Sequence, residues 1–259
     1  AFYNLRYSPV SREVAALAIF FNALGLYTLL LAFPQLSGWL PQGVGQTLLA
    51  TSGWLATFAG PLCLYAMQRI YRIKARPFWD HWQVLTSFYG SMLTLGPLAA
   101  GLVYAVVLTA QGQSQTLSLL LSLLAWPILL GLLIEGLGLI AHVRYLRRRD
   151  GEGAASHFEQ RTAYGYTYLA RNTGLAASML LAGALALSGA EGGIGLAAWV
   201  LAAALIIVTA VVGRALFYVL VIPTTMPGAF FWRNRGFEEH ARETGLAQMP
   251  QVGVLPATH

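Results

Sequence analysis

Hydrophobic residues run almost unbroken through six stretches of the chain, roughly 14–33, 44–67, 85–108, 117–142, 168–188 and 194–222. Polar residues gather between them. A helix needs about 20 mostly apolar residues to cross a bilayer, so each stretch predicts one spanning helix. The runs are continuous and do not alternate, which excludes the dyad pattern of a membrane β-barrel. The expected fold is an all-α integral membrane protein, a bundle of six transmembrane helices over 1–222 followed by a tail over 223–259.

Composition agrees, with 57% hydrophobic and 10% charged residues in 259. Soluble domains are about one quarter charged. The first stretch is too long for a signal peptide and has no small-residue cleavage site after it. The single cysteine, Cys63, lies in an apolar run and can build neither a disulfide framework nor a cysteine-ligated cluster. Any iron–sulfur centre must therefore belong to another subunit. Nothing in the chain points to nucleic acid.

Charge separates the connections into two sets. The turns at 34–43, 109–116 and 189–193 contain no Lys or Arg, and Glu191 is their only formal charge. All sixteen basic residues fall on the other side, from Arg6 and Arg12 before the first helix to Arg233, Arg235 and Arg242 in the tail. Basic excess marks the cytoplasmic side, so both ends of this chain are expected there, in the inner membrane of a bacterium. Orienting insertion and binding anionic head groups accounts for Arg147, Arg148 and Arg149. Arg12, Arg171 and Arg214 sit at or inside helix ends, where a cation needs a partner or a wet cavity. The loop at 68–83 and the tail carry more aromatic and acidic residues than a lipid-facing collar requires, which suits a docking surface.

Acidic residues within the apolar runs are scarce. Glu13 opens the first helix in SREVAA, where Ser11 resembles an N-cap and an acid in the first turn would complement the helix dipole. A buried carboxylate in a proton route fits it equally. Glu135, in LLIEGLG, suits either a packed, hydrogen-bonded polar residue or a proton relay. The small residues of GLAASMLLAGALALSGA and GLAAWVLAAALIIVTAVVG predict close packing of the last two helices.

Three segments then carry a family likeness: AFYNLRYSPVSREVAA, the loop YRIKARPFWDHWQVLTSFYGSMLTLGPLAAG, and the helix end VVGRALFYVLV. In their order and spacing, with the apolar scaffold between them, they resemble the membrane anchor subunit of the dimethyl sulfoxide reductase family. The resemblance implies an eight-helix subunit without haem, of which this chain would hold six helices. It begins at the end of what would be the second helix, so an amino-terminal part is expected to precede it. It also implies two partners, a ferredoxin-like iron–sulfur subunit and a molybdopterin catalytic subunit, with electrons exchanged with the quinone pool, ubiquinone or menaquinone. The chain itself would not act on the catalytic subunit's substrate.

The acid matching Glu13 is implicated in quinol handling in that family, and the iron–sulfur subunit docks on the side bearing it. Here that side is the Arg-rich one. The tail AFFWRNRGFEEHARETGLAQMP is more similar to the anchor of quinone-linked sulfite dehydrogenases, whose catalytic subunits lie inside the cell, than to an anchor that oxidises menaquinol for an external reductase. Quinone reduction needs a proton supply and a polar group at each carbonyl. Glu13 can relay the proton. Arg214 and Tyr218, four residues apart, share a helix face and can hold the carbonyls. Arg6, Tyr71, Arg72 and His81 are further pocket candidates, although for Tyr218 an interfacial belt role, and for His81 beside Trp79 and Trp82 a belt or docking role, also fit. Axial haem ligation needs a pair of His residues within helices, and His81, His142, His157, His240 and His259 supply no suitable pair. A transporter using Glu135, Pro127 and the Gly-rich helices is a reading of a different class.

Overall fold

A computed structural model of the chain describes residues 4–41, 43–148, 152–188 and 192–222, together with residues 239, 242, 243 and 245 of the tail. Among the described residues there are eight helices and no strand: α1 Pro9–Ala32, α2 Gln35–Gly38, α3 Val44–Tyr71, α4 Gln83–Ala110, α5 Ser114–Leu146, α6 Glu152–Arg161, α7 Gly165–Ser188 and α8 Gly192–Val219. Five of them, α1, α3, α4, α5 and α8, are long and apolar enough to cross a membrane. The chain is thus a multi-pass membrane protein. The expected span at 168–188 is the 24-residue α7. It does not join the five, and Arg171 and Asn172 in its second turn, with many Ala, Gly and Ser residues after them, dilute its apolar character.

The chain forms two compact units, Ala1–Arg72 and Ile73–His259. In the first, α1 packs along α3. Gly53 of α3 faces the Tyr27 ring and Gly60 faces Phe20, so the register rises along one helix as it falls along the other and the pair is antiparallel. The start of α1 and the end of α3 therefore share one end, which carries Arg6, Arg12, Arg69 and Arg72.

The sequence-expected start of α1 needs correction. Ser8, not Ser11, is the N-cap: its hydroxyl accepts from the Ser11 N–H at 3.3 Å, and Pro9 occupies the first turn, where its missing donor and fixed φ are tolerated. The helix begins five residues before the first apolar run. As a result the first turn holds no acidic residue, and Glu13 lies in the second.

In the second unit α4, α5, α7 and α8 close a four-helix arrangement in which α4 touches α5 and α8, and α7 touches α5 and α8. At the crossing of α4 and α5 the backbones meet. A Cβ on Gly90 would lie 2.8 Å from the Gly131 carbonyl oxygen, and one on Gly131 would lie 2.6 Å from that of Gly90. In lipid such close approach is what small residues provide. The apolar core fills the half of the unit toward the uncharged turns, with Leu121, Ala125, Ile128, Ala182, Trp199 and Ala203 among its buried members. Trp199 donates from its ring nitrogen to the Leu121 carbonyl at 3.2 Å, joining α8 to α5. The connection after α5 contains the ten-residue α6, which the apolar pattern does not predict. Its sequence EGAASHFEQR is amphipathic, burying Ala155, Ser156 and Gln160.

Candidate functional site

In the first unit the antiparallel register gathers Arg6, Arg12, Glu13, Tyr71 and Arg72 at the Arg-rich end. Glu13 is partly buried, Arg6 and Arg12 are exposed, and the Arg6 guanidinium lies 5.7 Å from the Tyr7 ring centre. The pairings of Tyr27 with Gly53 and of Phe20 with Gly60 place Glu13 level with Met67 and Gln68. Gln68 is only 1% exposed, and its Oε1 has no hydrogen-bond partner among the described residues. The sequence reading passed over this residue. Its signal was a single amide in the last turns of an apolar helix, on the Arg-rich side. An open groove of about 620 Å³ in this unit, lined by Phe20, Tyr27, Gly53 and Trp54 among others, begins two turns beyond Glu13, toward the uncharged end.

In the second unit the segment 73–82 folds back onto the ends of three helices. Trp79 donates to the Phe217 carbonyl of α8 at 2.8 Å and stacks on the Phe217 ring with centres 5.1 Å apart. The Phe78 carbonyl lies 2.8 Å from His142 Nε2 of α5. His81 stacks near His142 and Tyr145, at 5.3 and 4.7 Å, while its Nδ1 accepts from the Gln83 N–H that opens α4. Phe78, Trp79 and His81 are consequently buried, and of the expected docking aromatics Trp82 is the exposed one. The Arg76 guanidinium covers Trp79 at 4.6 Å from the ring centre. Trp79→Phe removes the donor to Phe217 and is expected to cost about 1 kcal/mol, whereas Trp79→Ala also empties the ring site and is expected to cost roughly 3–5 kcal/mol. Thermal unfolding of the two variants in detergent checks the order.

Arg214 and Tyr218 do share the end of α8. The Arg214 guanidinium lies 5.0 Å from the Phe88 ring centre of α4 and 5.8 Å from that of Phe217, and Tyr218 is exposed with its ring edge-on to Trp79 at 6.0 Å. His81 belongs to the neighbouring histidine stack. On α6, burial pushes His157 below the usual histidine range, which the Gln160 side chain partly offsets and Arg161 and Arg147 reinforce. No group of three or more His, Cys, Asp or Glu able to hold a metal ion occurs among the described residues. Arg149, Arg233, Arg235, His240, His259 and most of the expected docking tail lie outside the described residues.

A family model described as DMSO reductase anchor subunit (DmsC) matches residues 1–220. The chain belongs to that family. No curated protein and no solved structure matches it. As a DmsC-family protein it is a membrane anchor, a subunit of complexes that contain iron–sulfur and molybdopterin catalytic partners. The matched span takes in both units, all five apolar helices and the ends of α1, α3 and α8 that carry the candidate residues.

Proposed function

We propose that this anchor is the quinone-reactive subunit of its complex, passing electrons between an iron–sulfur subunit docked on the Arg-rich side and the quinone pool. The observation that carries the reading is the Arg-rich end of the first unit, where partly buried Glu13 stands level with buried Gln68, whose Oε1 has no hydrogen-bond partner among the described residues. With the helix now starting at Pro9, Glu13 is too far along α1 for a first-turn dipole role to explain it. A carboxyl and an amide on an apolar wall supply the proton and the hydrogen bond that a quinone carbonyl needs on reduction. In the second unit, Arg214 and Tyr218 provide a cation and a phenol at the end of α8.

Charge asymmetry places that side in the cytoplasm and the chain in the inner membrane, with α7 as a sixth span. Electrons then come from a cytoplasmic donor, which favours sulfite oxidation coupled to quinone reduction over menaquinol oxidation for an external reductase. Fluorescent and phosphatase fusions to the carboxyl terminus test this: fluorescence without phosphatase activity is expected, and the converse would reverse the direction. Trimming the tail from about Phe237 is expected to release the peripheral subunits in a salt wash while membrane insertion is unchanged. Subunits retained through the wash would remove the tail from docking.

A further inference from the structure

The interior of the second unit contains a polar layer. Glu135 of α5, Arg171 of α7, Arg214 of α8, and Ser91 and Thr94 of α4 all belong to the half of the unit toward the Arg-rich side. At 1.5 Å per residue, Arg214 is roughly 8 Å from the end of α8, Arg171 roughly 9 Å from the start of α7, and Glu135 roughly 16 Å from the end of α5. Helix contacts bring these groups together: a Cβ on Gly90 of α4 would lie 3.1 Å from the Glu135 Cβ, one on Gly213 of α8 would lie 3.8 Å from the Arg171 side chain, and the Arg214 guanidinium lies 5.0 Å from the ring centre of Phe88 on α4. Arg171 is only 6% exposed and its Nε has no hydrogen-bond partner among the described residues. The hydroxyls of buried Thr94 and Ser178 are likewise without one. Ser91, Thr94, Glu135 and Thr209 line a small cavity of about 10 Å³. That is about the volume that admits one water molecule, and the site offers the two to four polar partners such a water requires. Beyond Ser178 the interior turns apolar, through Leu98, Ile128, Ala182, Trp199 and Ala203.

We propose that Glu135, with the hydroxyls and the water-sized cavity beside it, is a dead-end proton store, loaded only from the Arg-rich side, that supplies a proton to a quinone carbonyl held at Arg214. The balance is simple. A quinone becomes a quinol by taking two electrons, here from the iron–sulfur partner, and two protons. Glu135 gives one proton, becomes a carboxylate near Arg171 and Arg214, is reprotonated through the polar layer from the Arg-rich side, and gives the second proton in the same way. An uncompensated carboxylate at this depth would be costly, and two guanidinium groups from α7 and α8 supply the compensation. The charged groups near Glu135 are Arg171 from α7 and Arg214 from α8, and the hydroxyls lining the cavity with it are those of Ser91 and Thr94 from α4 and Thr209 from α8, with His142 two turns along its own helix. The apolar plug explains why the layer serves one side: among the described residues the interior beyond Ser178 is lined by apolar side chains, which offer a proton no route to the opposite face.

The inference rests on the quinone reading of Glu13 and Arg214, so the experiment separates the two. In the purified complex, a pH-jump infrared difference spectrum is expected to show a protonated-carboxyl band that shifts in heavy water, disappears in Glu135→Gln and moves in Glu135→Asp. Quinone-linked kcat in Glu135→Gln is expected to fall roughly 10- to 100-fold with KM little changed, and to recover in part in Glu135→Asp. A wild-type band or wild-type turnover in Glu135→Gln would overturn the proton store, even if Glu13→Gln is inactive. Full turnover in Glu13→Gln would instead overturn the quinone reading of Glu13. Should Glu135→Gln fail to assemble, the Glu135→Asp complex decides through its band: an unmoved band overturns the assignment.

Discussion

Glu13→Gln is expected to lower quinone-linked electron transfer by roughly 100-fold or more while the complex assembles normally. Glutamine keeps the volume and polarity of the side chain, and Glu13 is neither the cap of α1 nor part of its first turn, so the helix has no structural need of the acid. What the change removes is a titratable proton at the Arg-rich end, level with Gln68. Oxidation of the iron–sulfur partner by a soluble dye, which needs no proton from this site, should stay at the wild-type rate. Unchanged quinone-linked turnover would remove Glu13 from the mechanism, and loss of both activities would point to misassembly.

The second large effect is structural. Gly131→Leu places a side chain where the Gly90 carbonyl oxygen already stands, and its Cβ would lie 2.6 Å from that atom. Overpacking of a core usually costs about 1–3 kcal/mol, and more when the obstacle cannot rotate away. Here the obstacle is backbone, so the cost is expected at the top of that range or above it. The crossing of α4 and α5 must open, which also pulls Gly90 away from Glu135, whose Cβ would lie 3.1 Å from a Cβ built there. Gly96→Ala on the same α4 is the control, because nothing lies within 4 Å of a Cβ at that position. It should be neutral or gain up to about 1 kcal/mol from helix propensity. Thermal unfolding of the two variants in detergent measures the contrast, and equal stability would contradict the close crossing.

How far the sequence reveals this molecule depends on the physical origin of each feature. The five apolar spans are legible because lipid demands long uninterrupted hydrophobic runs, and their centres fall where the runs predict. Their ends are less so. The start of α1 is set by a Ser-Pro cap ahead of the apolar run, and α6 is a polar amphipathic helix that a search for spans passes over. The small residues of the last two helices predict close packing there, and Gly174 does face Thr209 across α7 and α8. The meeting of backbone with backbone, however, joins Gly90 to Gly131, a pairing that arises only when two helices are brought together. Burial of Trp79 and His81 is hidden for the same reason: an aromatic loop reads as a surface until Phe217 and His142 are seen beneath it. Arg214 and Tyr218 share a face because four residues make about one helical turn, which the sequence states outright. Gln68 becomes informative only beside the antiparallel α1.

The most direct measurement follows the iron–sulfur signal by electron paramagnetic resonance in the complex purified through this chain. After chemical reduction, added quinone is expected to erase the signal of the cluster-bearing partner within turnover time in the wild type and to leave it standing in Glu13→Gln. A chain that purifies without any cluster-bearing protein, or a signal that quinone erases equally fast in both complexes, would contradict electron transfer to quinone at the Arg-rich end.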